Sequence, residues 1–235
     1  MKLQIPLVLA FAATFAAGNA FAARQTEETY KPTDGSQGYR YLLYLPKGET
    51  KENKPLMVFL HGRGECGNDL NLVKKHGPPK ILEKKDLPFI VVSPQCPKSD
   101  LWWKPEIVAG LVDEVVAKQP VDRSRIYLTG LSQGGFGTWA TAAAHPKKFA
   151  AIAPICGGGK SENAKNYGKL PIWNFHGDAD RVVPVRLSRE MVAAIQKAGG
   201  KVKYTEYPGV GHDSWTKTYR NPKLYDWFLS HSLKP

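Results

Sequence analysis

Gly130-Leu131-Ser132-Gln133-Gly134 lies near the middle of this 235-residue chain and forms a G-x-S-x-G sequence. An apolar run at 125–129 precedes it and is typical of a β-strand, while the small residues of 136–144 that follow are typical of a helix. At such a strand-turn-helix junction, flanking glycines allow a strained backbone at the serine and close packing of strand and helix. The stretch therefore predicts that the Ser132 hydroxyl projects from a sheet edge as a nucleophile, provided that a base and an acid accompany it.

On both sides of this stretch, apolar runs that predict strands alternate with helical patterns. The strands are expected at 39–46, 55–60, 89–92, 126–128, 149–153, 172–175 and 202–207, and the helices at 107–116, 136–144, 187–195 and 224–228. Strands that alternate with helices of ten to fifteen residues indicate an α/β fold with a mostly parallel sheet. Continuous apolar strands such as 55–60 further predict that helices cover both faces of that sheet.

The N-terminus has the pattern of a targeting segment. Lys2 is followed by an uncharged apolar run from Leu3 to Ala17, and Ala20-Phe21-Ala22 forms an A-x-A cleavage site. We expect residues 1–22 to be a signal peptide and residues 23–235 to form a single catalytic domain of an exported protein, periplasmic or secreted. No later stretch is long and apolar enough to span a bilayer, so we expect no stable membrane insertion.

The chain is strongly basic, with 33 Lys and Arg against 21 Asp and Glu and a formal net charge of +12. The lysines are scattered, and no basic cluster is interleaved with aromatic residues as in nucleic-acid-binding surfaces. We therefore expect no nucleic-acid partner. The positive charge instead favours attraction to acidic wall polysaccharides.

Three cysteines permit one disulfide and leave one thiol. Cys66 and Cys96 follow two strands that we expect to be neighbours, so a Cys66–Cys96 disulfide is predicted and Cys156 is left as the thiol. No Cys and His spacing is typical of a zinc site, and we expect neither a metal nor a cofactor.

A nucleophilic serine needs a base, and six histidines are available. His212 lies in Gly209–Trp215, the segment between the last predicted strand and the last predicted helix. His61 and His176 each precede a glycine turn and are expected to brace loops. His212 is therefore the predicted base.

The acid is expected in Phe175–Pro184, which follows another predicted strand and offers two aspartates. Asp180 is favoured because the turn must leave the strand before a carboxylate can face the histidine. Asp178 is the alternative, but we expect it to accept hydrogen bonds from backbone amides of the turn. Ser132, Asp180 and His212 would then occur in the order serine, acid, histidine, unlike the orders of chymotrypsin and subtilisin.

An acyl-transfer serine also needs N–H donors for the oxyanion. One donor is expected from the backbone of Gln133, directly after the serine. The other is expected from the backbone of Arg63, in the glycine-rich loop of residues 60–68.

With these motifs the chain resembles the α/β-hydrolases of the esterase/phospholipase-carboxylesterase type, in particular an exported "predicted peptidase" branch related to feruloyl and acetyl-xylan esterases. The matching residues are 61–65, 93–97, 130–135, 154–158, 176–184 and 211–215. The resemblance implies an α/β-hydrolase fold with a catalytic triad of Ser132, Asp180 and His212. Glu65-Cys66 departs from the Glu-Arg that is common in that loop.

The resemblance also makes one short connection informative, because many α/β-hydrolases insert a lid after the strand predicted here at 149–153. Only residues 157–170 are available, so no large lid is expected and the cleft should be open. Trp102, Trp103 and Trp215 are candidate substrate-binding residues that could stack on a phenolic acid or a sugar. Packing of loops against helices is the alternative role, and it is favoured for Trp215.

These features predict a serine esterase that acts through an acyl-enzyme on carbohydrate-linked esters, feruloyl or acetyl, as found on plant cell-wall polysaccharides and oligosaccharides. A serine peptidase, or a phospholipase- or thioesterase-type carboxylesterase with non-sugar substrates, would use the same residues. A non-enzymatic binder that retains the fold is disfavoured because all three triad positions carry competent residues.

Overall fold

The computed structural model describes residues 25–46 and 52–233, so the signal peptide predicted over residues 1–22 lies outside the described residues. Eight strands of the described chain form one sheet in the order β1-β2-β4-β3-β5-β6-β7-β8. They are β1 (Thr26–Thr29), β2 (Arg40–Tyr44), β3 (Lys54–Leu60), β4 (Ile90–Gln95), β5 (Val121–Leu131), β6 (Ala151–Ile155), β7 (Ile172–Gly177) and β8 (Val202–Tyr207).

The prediction of a mostly parallel sheet is confirmed. β1 pairs with β2, and β2 with β4, in the antiparallel sense. All pairings from β4 through β3 to β8 are parallel. The carboxyl ends of the parallel strands therefore meet at one edge, where ligand sites of open α/β sheets form.

Helices cover both faces of the sheet, as predicted. They are α1 (Gly77–Leu82), α2 (Pro105–Lys118), α3 (Gln133–Ala144), α4 (Arg186–Lys197), α5 (Trp215–Arg220) and α6 (Pro222–Leu229). α2, α3 and α4 pack on one face, and α1, α5 and α6 on the other. Alternate residues of β3 enter the two cores, Val58 on the first face and Phe59 on the second.

Several element boundaries differ from the sequence-based expectation. The strand predicted at 149–153 is observed two residues later, as β6. Phe149 and Ala150 are buried and therefore look like strand residues, but pairing with β5 begins only at Ala151, opposite Tyr127. β1 was not predicted, since its four residues are polar and exposed and it forms only by pairing with β2.

The connection between β6 and β7 holds a single 3₁₀ helix, Ser161–Tyr167. The expected absence of a large lid is thus confirmed for this connection. Within the described ranges, no helix has the length and apolar character needed to cross a membrane.

The prediction of a Cys66–Cys96 disulfide is wrong for this structure, in which both residues are buried thiols. The two side chains nevertheless interact, since a hydrogen bond between the thiols lowers the pKa of Cys66 and raises that of Cys96. The Sγ of Cys66 donates to Oε1 of Gln133 at 3.3 Å, and the Sγ of Cys96 lies 4.0 Å from the carbonyl oxygen of Asp100. Cys156 is also a buried thiol, and burial raises its pKa to about 12.

Candidate active site

Ser132 occupies the sharp turn between a strand and a helix, because β5 ends at Leu131 and α3 begins at Gln133. Its φ of 52° and ψ of −119° place it in a region that non-glycine residues rarely adopt. Two backbone hydrogen bonds of 3.0 Å hold the turn: Ser132 N–H donates to the carbonyl oxygen of Ile155, and Phe136 N–H donates to that of Ser132. The serine is half-buried. The hydrogen bonds to Ile155 and from Phe136 hold its strained backbone in place.

The turn needs glycine on either side because other backbone segments approach it closely. A Cβ on Gly134 would lie 1.9 Å from the carbonyl oxygen of Leu60, at the end of β3. A Cβ on Gly130 would lie 2.4 Å from the carbonyl oxygen of Gly134. The first turn of α3 is thus seated directly on the ends of two parallel strands, and this seating fixes the position of Ser132.

The structure brings the three predicted triad residues into one hydrogen-bonded line, although they are far apart in sequence. Nε2 of His212 lies 3.0 Å from Oγ of Ser132, and Nδ1 of His212 lies 2.7 Å from Oδ2 of Asp180. Because a carboxylate accepts only, Nδ1 carries the proton and donates it to Asp180. Nε2 is then the acceptor that faces the serine hydroxyl.

Asp180 is buried and accepts hydrogen bonds at both carboxylate oxygens. Oδ1 accepts from the N–H groups of Val182 at 2.8 Å and Val183 at 2.9 Å. Burial opposes ionisation, but the hydrogen bond from His212 and those from the two backbone N–H groups outweigh it, and the pKa of Asp180 is lowered. Asp180 is therefore held as a carboxylate.

Asp178, the alternative acid, lies outside this line. Its Oδ1 accepts from the N–H of Gly209 at 2.7 Å. The expected bonding to backbone amides is observed, but the amide belongs to the turn after β8 and not to the turn of Asp178 itself. Asp178 thus ties together the two loops that carry Asp180 and His212.

The two predicted oxyanion donors each begin a helix. Arg63 is the first residue of the 3₁₀ helix Arg63–Glu65, and Gln133 is the first residue of α3. N–H groups in the first turn of a helix have no intrahelical acceptor, so both are available to a ligand. A Cβ on Gly62 would lie 3.5 Å from Cβ of Ser132, so the loop of Arg63 adjoins the serine.

Buried side chains on either side hold that loop. Oε2 of Glu65 accepts from the N–H of Gly62 at 3.0 Å, and burial raises the pKa of Glu65. His61 contacts the Gly62 carbonyl oxygen through Nδ1 at 2.7 Å and accepts the N–H of Cys96 through Nε2 at 3.0 Å. Its Nδ1 is therefore the donor, and burial lowers the pKa of His61 to about 4. The expected bracing role of His61 is observed, whereas that of Glu65 was not predicted.

Sequence reasoning also missed a second histidine on the acid. Nε2 of His176 lies 3.1 Å from Oδ2 of Asp180 and 2.9 Å from the carbonyl oxygen of Val183, and its Nδ1 lies 2.7 Å from Oγ of Ser188. Burial lowers the pKa of His176, which keeps the ring neutral. The spacing of His176 and Asp180 across one turn was the available signal.

The three candidate tryptophans occupy different environments. Trp102 is 57% exposed and contacts Phe136 edge-on, with the ring centroids 5.4 Å apart. Trp103 is 3% exposed and donates its indole N–H to the carbonyl oxygen of His61 at 3.2 Å. Trp215 packs edge-on against the His212 ring at 5.2 Å. Of these three, Trp102 alone presents a broad solvent-exposed face, while Trp103 and Trp215 support the loop and the imidazole.

A cavity of about 330 Å³ opens in front of the serine. It is lined by Arg63, Leu101, Trp102, Ser132, Gln133, Phe136 and Val183. The Arg63 guanidinium donates to the carbonyl oxygens of Asp100 and Leu101 at 3.1 and 3.3 Å, and Nε2 of Gln133 donates to that of Leu101 at 2.6 Å. Both side chains thus secure the loop that carries Trp102.

The chemistry that this arrangement supports is nucleophilic. A serine, a histidine and an ionised carboxylate in line, next to two N–H groups at helix starts, form the set of groups used for acyl transfer. Among the residues that the structure describes, no group of three or more His, Cys, Asp or Glu side chains is placed to hold a metal ion.

Comparison with known proteins adds a family match. The Phospholipase/Carboxylesterase family model matches residues 105–223, about half of the chain, and includes the three residues of the hydrogen-bonded line. A crystal structure of a thermostable esterase is 33% identical, with a TM-score of 0.78 over 89% of this chain and 63% of that chain.

Two curated relatives match this chain over only part of their own length. A poly(3-hydroxyalkanoate) depolymerase C from Paucimonas lemoignei is 34% identical over 49% of this chain and 30% of its own length. A bifunctional acetylxylan esterase/xylanase from Neocallimastix patriciarum is 27% identical over 68% of this chain and 24% of its own length. The chain therefore spans less than a third of either relative.

Proposed function

This chain belongs to the Phospholipase/Carboxylesterase family, and we propose that it is a serine hydrolase that cleaves carboxylic esters through an acyl-enzyme. One observation carries the proposal: Ser132 Oγ lies 3.0 Å from Nε2 of His212, whose Nδ1 lies 2.7 Å from Asp180. That geometry supplies a nucleophile, a base in the right tautomer and an acid that stabilises the resulting imidazolium.

In the acylation step, Ser132 Oγ attacks the ester carbonyl carbon while Nε2 of His212 takes the hydroxyl proton. The carbonyl oxygen becomes an oxyanion that the N–H groups of Arg63 and Gln133 stabilise. The tetrahedral intermediate then collapses, and His212 gives its proton to the departing alcohol. Asp180 remains ionised throughout.

In the deacylation step, water replaces the alcohol. Nε2 of His212 takes a proton from the water, whose oxygen attacks the acyl carbon. The second tetrahedral intermediate expels Ser132, which recovers its proton from His212, and the carboxylic acid leaves. No cofactor enters this sequence.

We further propose that the substrates are carbohydrate-linked esters, feruloyl or acetyl, and that the protein is exported to the periplasm or beyond. The short connection between β6 and β7 and the exposed face of Trp102 support an open cleft for a polymer-linked ester. The similarity to an acetylxylan esterase/xylanase supports a sugar ester as the substrate. The signal-peptide pattern of residues 1–22 supports export.

A polyester is the second candidate substrate, favoured by the 34% identity to a poly(3-hydroxyalkanoate) depolymerase. The same open cleft would admit an ester bond within a polymer chain. The two candidates differ in the group that flanks the ester, a polyhydroxylated ring or another hydroxyacyl unit.

A matched substrate panel tests the proposal. It contains acetylated xylo-oligosaccharides, feruloylated arabino-oligosaccharides, a poly(3-hydroxybutyrate) suspension, phosphatidylcholine, an acyl thioester and a peptide p-nitroanilide, each assayed with the unaltered protein and with Ser132→Ala. We expect the highest kcat/KM on a sugar ester and no turnover by Ser132→Ala above the blank. If kcat/KM were instead highest on the polyester, on the lipid or thioester, or on the anilide, that class of compound would replace sugar esters as the proposed substrate.

A further inference from the structure

A second cavity, of about 600 Å³, adjoins the cavity at Ser132 and plays no part in the steps above. Small residues of α3 line its floor, residues of the β6–β7 connection line its outer wall, and aromatic residues complete the lining. The lining residues are Trp102, Trp103, Pro105, Phe136, Gly137, Ala140, Ala143, Ala144, Gly158, Gly159, Lys160, Asn163, Asn166 and Tyr167. We refer to this cavity as the α3 groove.

The α3 groove is continuous with the cavity in front of the nucleophile. Trp102 and Phe136 line both spaces, so the two cavities meet at this pair of rings. Phe136 is one helical turn from Ser132 and donates its N–H to the serine carbonyl oxygen at 3.0 Å. A substrate attacked at Ser132 can therefore extend directly over the two rings into the groove.

The floor of the groove is low because the residues of α3 that face it are small. Ala140 and Ala144 are exposed there. At Gly137, a Cβ would lie 2.7 Å from Cδ1 of Trp103, so glycine is needed for the indole to pack against the helix. Trp102, the small residues of α3 and the β6–β7 connection thus line one space.

The outer wall of the groove is polar. Lys160, Asn163 and Asn166 lie on it, and Asn166 uses only its Nδ2, which donates to the carbonyl oxygen of Ala143 at 3.3 Å. Within the described ranges, the side chains of Lys160 and Asn163 make no hydrogen bond or ion pair. The Lys160 ammonium, the Asn163 amide and the Oδ1 of Asn166 are thus available to bind hydroxyl groups of a ligand.

We propose that the α3 groove binds the glycosyl part of the ester substrate, next to the acyl group at Ser132. This inference rests on the proposed esterase function and names where its sugar is held. A sugar ring has an apolar face to lie on the indole of Trp102 and hydroxyl groups around its edge for the amides and the ammonium. An alkyl chain would remove water from these three polar groups without replacing their hydrogen bonds. A polyester segment has acceptors but no donors along its chain, so it would leave the amide oxygens unpaired, whereas sugar hydroxyl groups both donate and accept.

Kinetics on substrate pairs with the same acyl group test the groove. The pair is an acetylated xylo-oligosaccharide and p-nitrophenyl acetate, and the variants are Trp102→Ala and the double variant Lys160→Ala/Asn163→Ala. We expect the ratio of kcat/KM on the sugar ester to that on p-nitrophenyl acetate to fall about 10-fold in each variant, mainly through KM. Lys165→Ala is the matched control, because Lys165 is an exposed lysine of the same 3₁₀ helix that does not line the groove. It should leave the ratio unchanged.

Binding of unesterified xylohexaose, measured by calorimetry, gives a readout that does not depend on catalysis. We expect binding to the Ser132→Ala variant and weaker binding, by about 10-fold, when Trp102→Ala is added. The groove proposal is overturned if xylohexaose does not bind, or if the groove variants leave the ratio of the two kcat/KM values unchanged. It is also overturned if activity rises with acyl chain length and the groove variants abolish that rise, because the groove would then hold the acyl group. Failure to cleave any ester would instead overturn the proposed function, while xylohexaose binding would still decide the groove.

Discussion

At the residue scale, the proposed reactivity of Ser132 depends on one carboxylate that faces several donors. Asp180 contacts the rings of His212 and His176 and the N–H groups of Val182 and Val183. The two backbone bonds fix the carboxylate plane, and the His212 bond sets the tautomer of the base. His176 packs behind the acid and links it to Ser188 on α4. The acid is thus held from all sides before any substrate binds.

Exchange of the acid for its amide isolates this role. We expect Asp180→Asn to lower kcat on p-nitrophenyl acetate by about 10³- to 10⁴-fold, because the amide would favour the wrong tautomer of His212. Asp178→Asn is the control: Asp178 lies outside the line, and the asparagine oxygen can still accept the N–H of Gly209 that ties the two loops together, so kcat should stay within about 3-fold. Equal losses in the two variants, with equal melting temperatures, would contradict the assignment of Asp180 as the acid.

At the element scale, the site is a junction of strand ends and helix starts. α3 packs on the end of β3, and the 3₁₀ helix of Arg63 begins three residues after the last residue of β3. The segments that carry the two N–H donors therefore both adjoin the end of the same strand. We expect the positions of the nucleophile and of the oxyanion donors to be coupled through β3.

A methyl group at the contact between α3 and β3 tests that coupling. Gly134→Ala would place Cβ 1.9 Å from the Leu60 carbonyl oxygen, and backbone must move to relieve the clash. We expect a loss of about 1–3 kcal/mol in the free energy of unfolding and at least a 10-fold loss in kcat. Gly64→Ala, in the Arg63 loop, meets nothing within 4 Å and should leave both quantities near their original values. If urea unfolding and kinetics gave similar results for the two variants, the coupling would be refuted.

At the scale of the whole molecule, two cores on opposite faces of one sheet hold the site loops, and buried neutral histidines connect those loops to the sheet. His61 is fully buried, and burial lowers its pKa to about 4, against an ordinary value of 6.5. Burial shifts the pKa of His176 in the same direction. Folding thus requires these rings to stay neutral.

This requirement gives stability a pH dependence of known sign. Between pH 6.5 and about 4, the unfolded chain binds a proton at His61 that the folded chain does not, so the free energy of unfolding falls as pH falls through this window. We expect His61 to contribute a loss of about 2 kcal/mol between pH 7 and pH 5, measured by urea denaturation. A His61→Gln variant, although less stable at pH 7, should lose correspondingly less over the same interval. An equal loss in the variant would contradict the buried neutral His61.

The sequence was informative wherever function depends on order and on local turn geometry. Three signals predicted the convergence of Ser132, Asp180 and His212. They are G-x-S-x-G after an apolar run, an aspartate after the next-but-one strand and a histidine before the last predicted helix. Continuous apolar strands predicted the doubly covered sheet. These signals are local or follow from parallel topology, in which strand ends meet at one edge.

What the sequence did not predict depends on loop conformation and side-chain orientation. The support of Asp180 by His176 and the buried hydrogen bond from Gly62 to Glu65 join residues four and three positions apart, but the spacing alone does not show that these groups face each other. α1 was missed because Gly77, with φ of 64°, and two prolines obscure its helical pattern. The thiols of Cys66 and Cys96 are close in space, as expected, but they are hydrogen-bonded and not covalently joined, a difference that sequence spacing does not report.

Labelling with a fluorophosphonate probe tests most directly whether Ser132 is an activated nucleophile. We expect the probe to add covalently to one residue, identified by mass spectrometry of the Ser132 peptide. The variants Ser132→Ala and Asp180→Asn should remain unlabelled or nearly so under the same conditions. A folded, unaltered protein that stays unlabelled, or that is labelled equally after Ser132→Ala, would contradict this expectation.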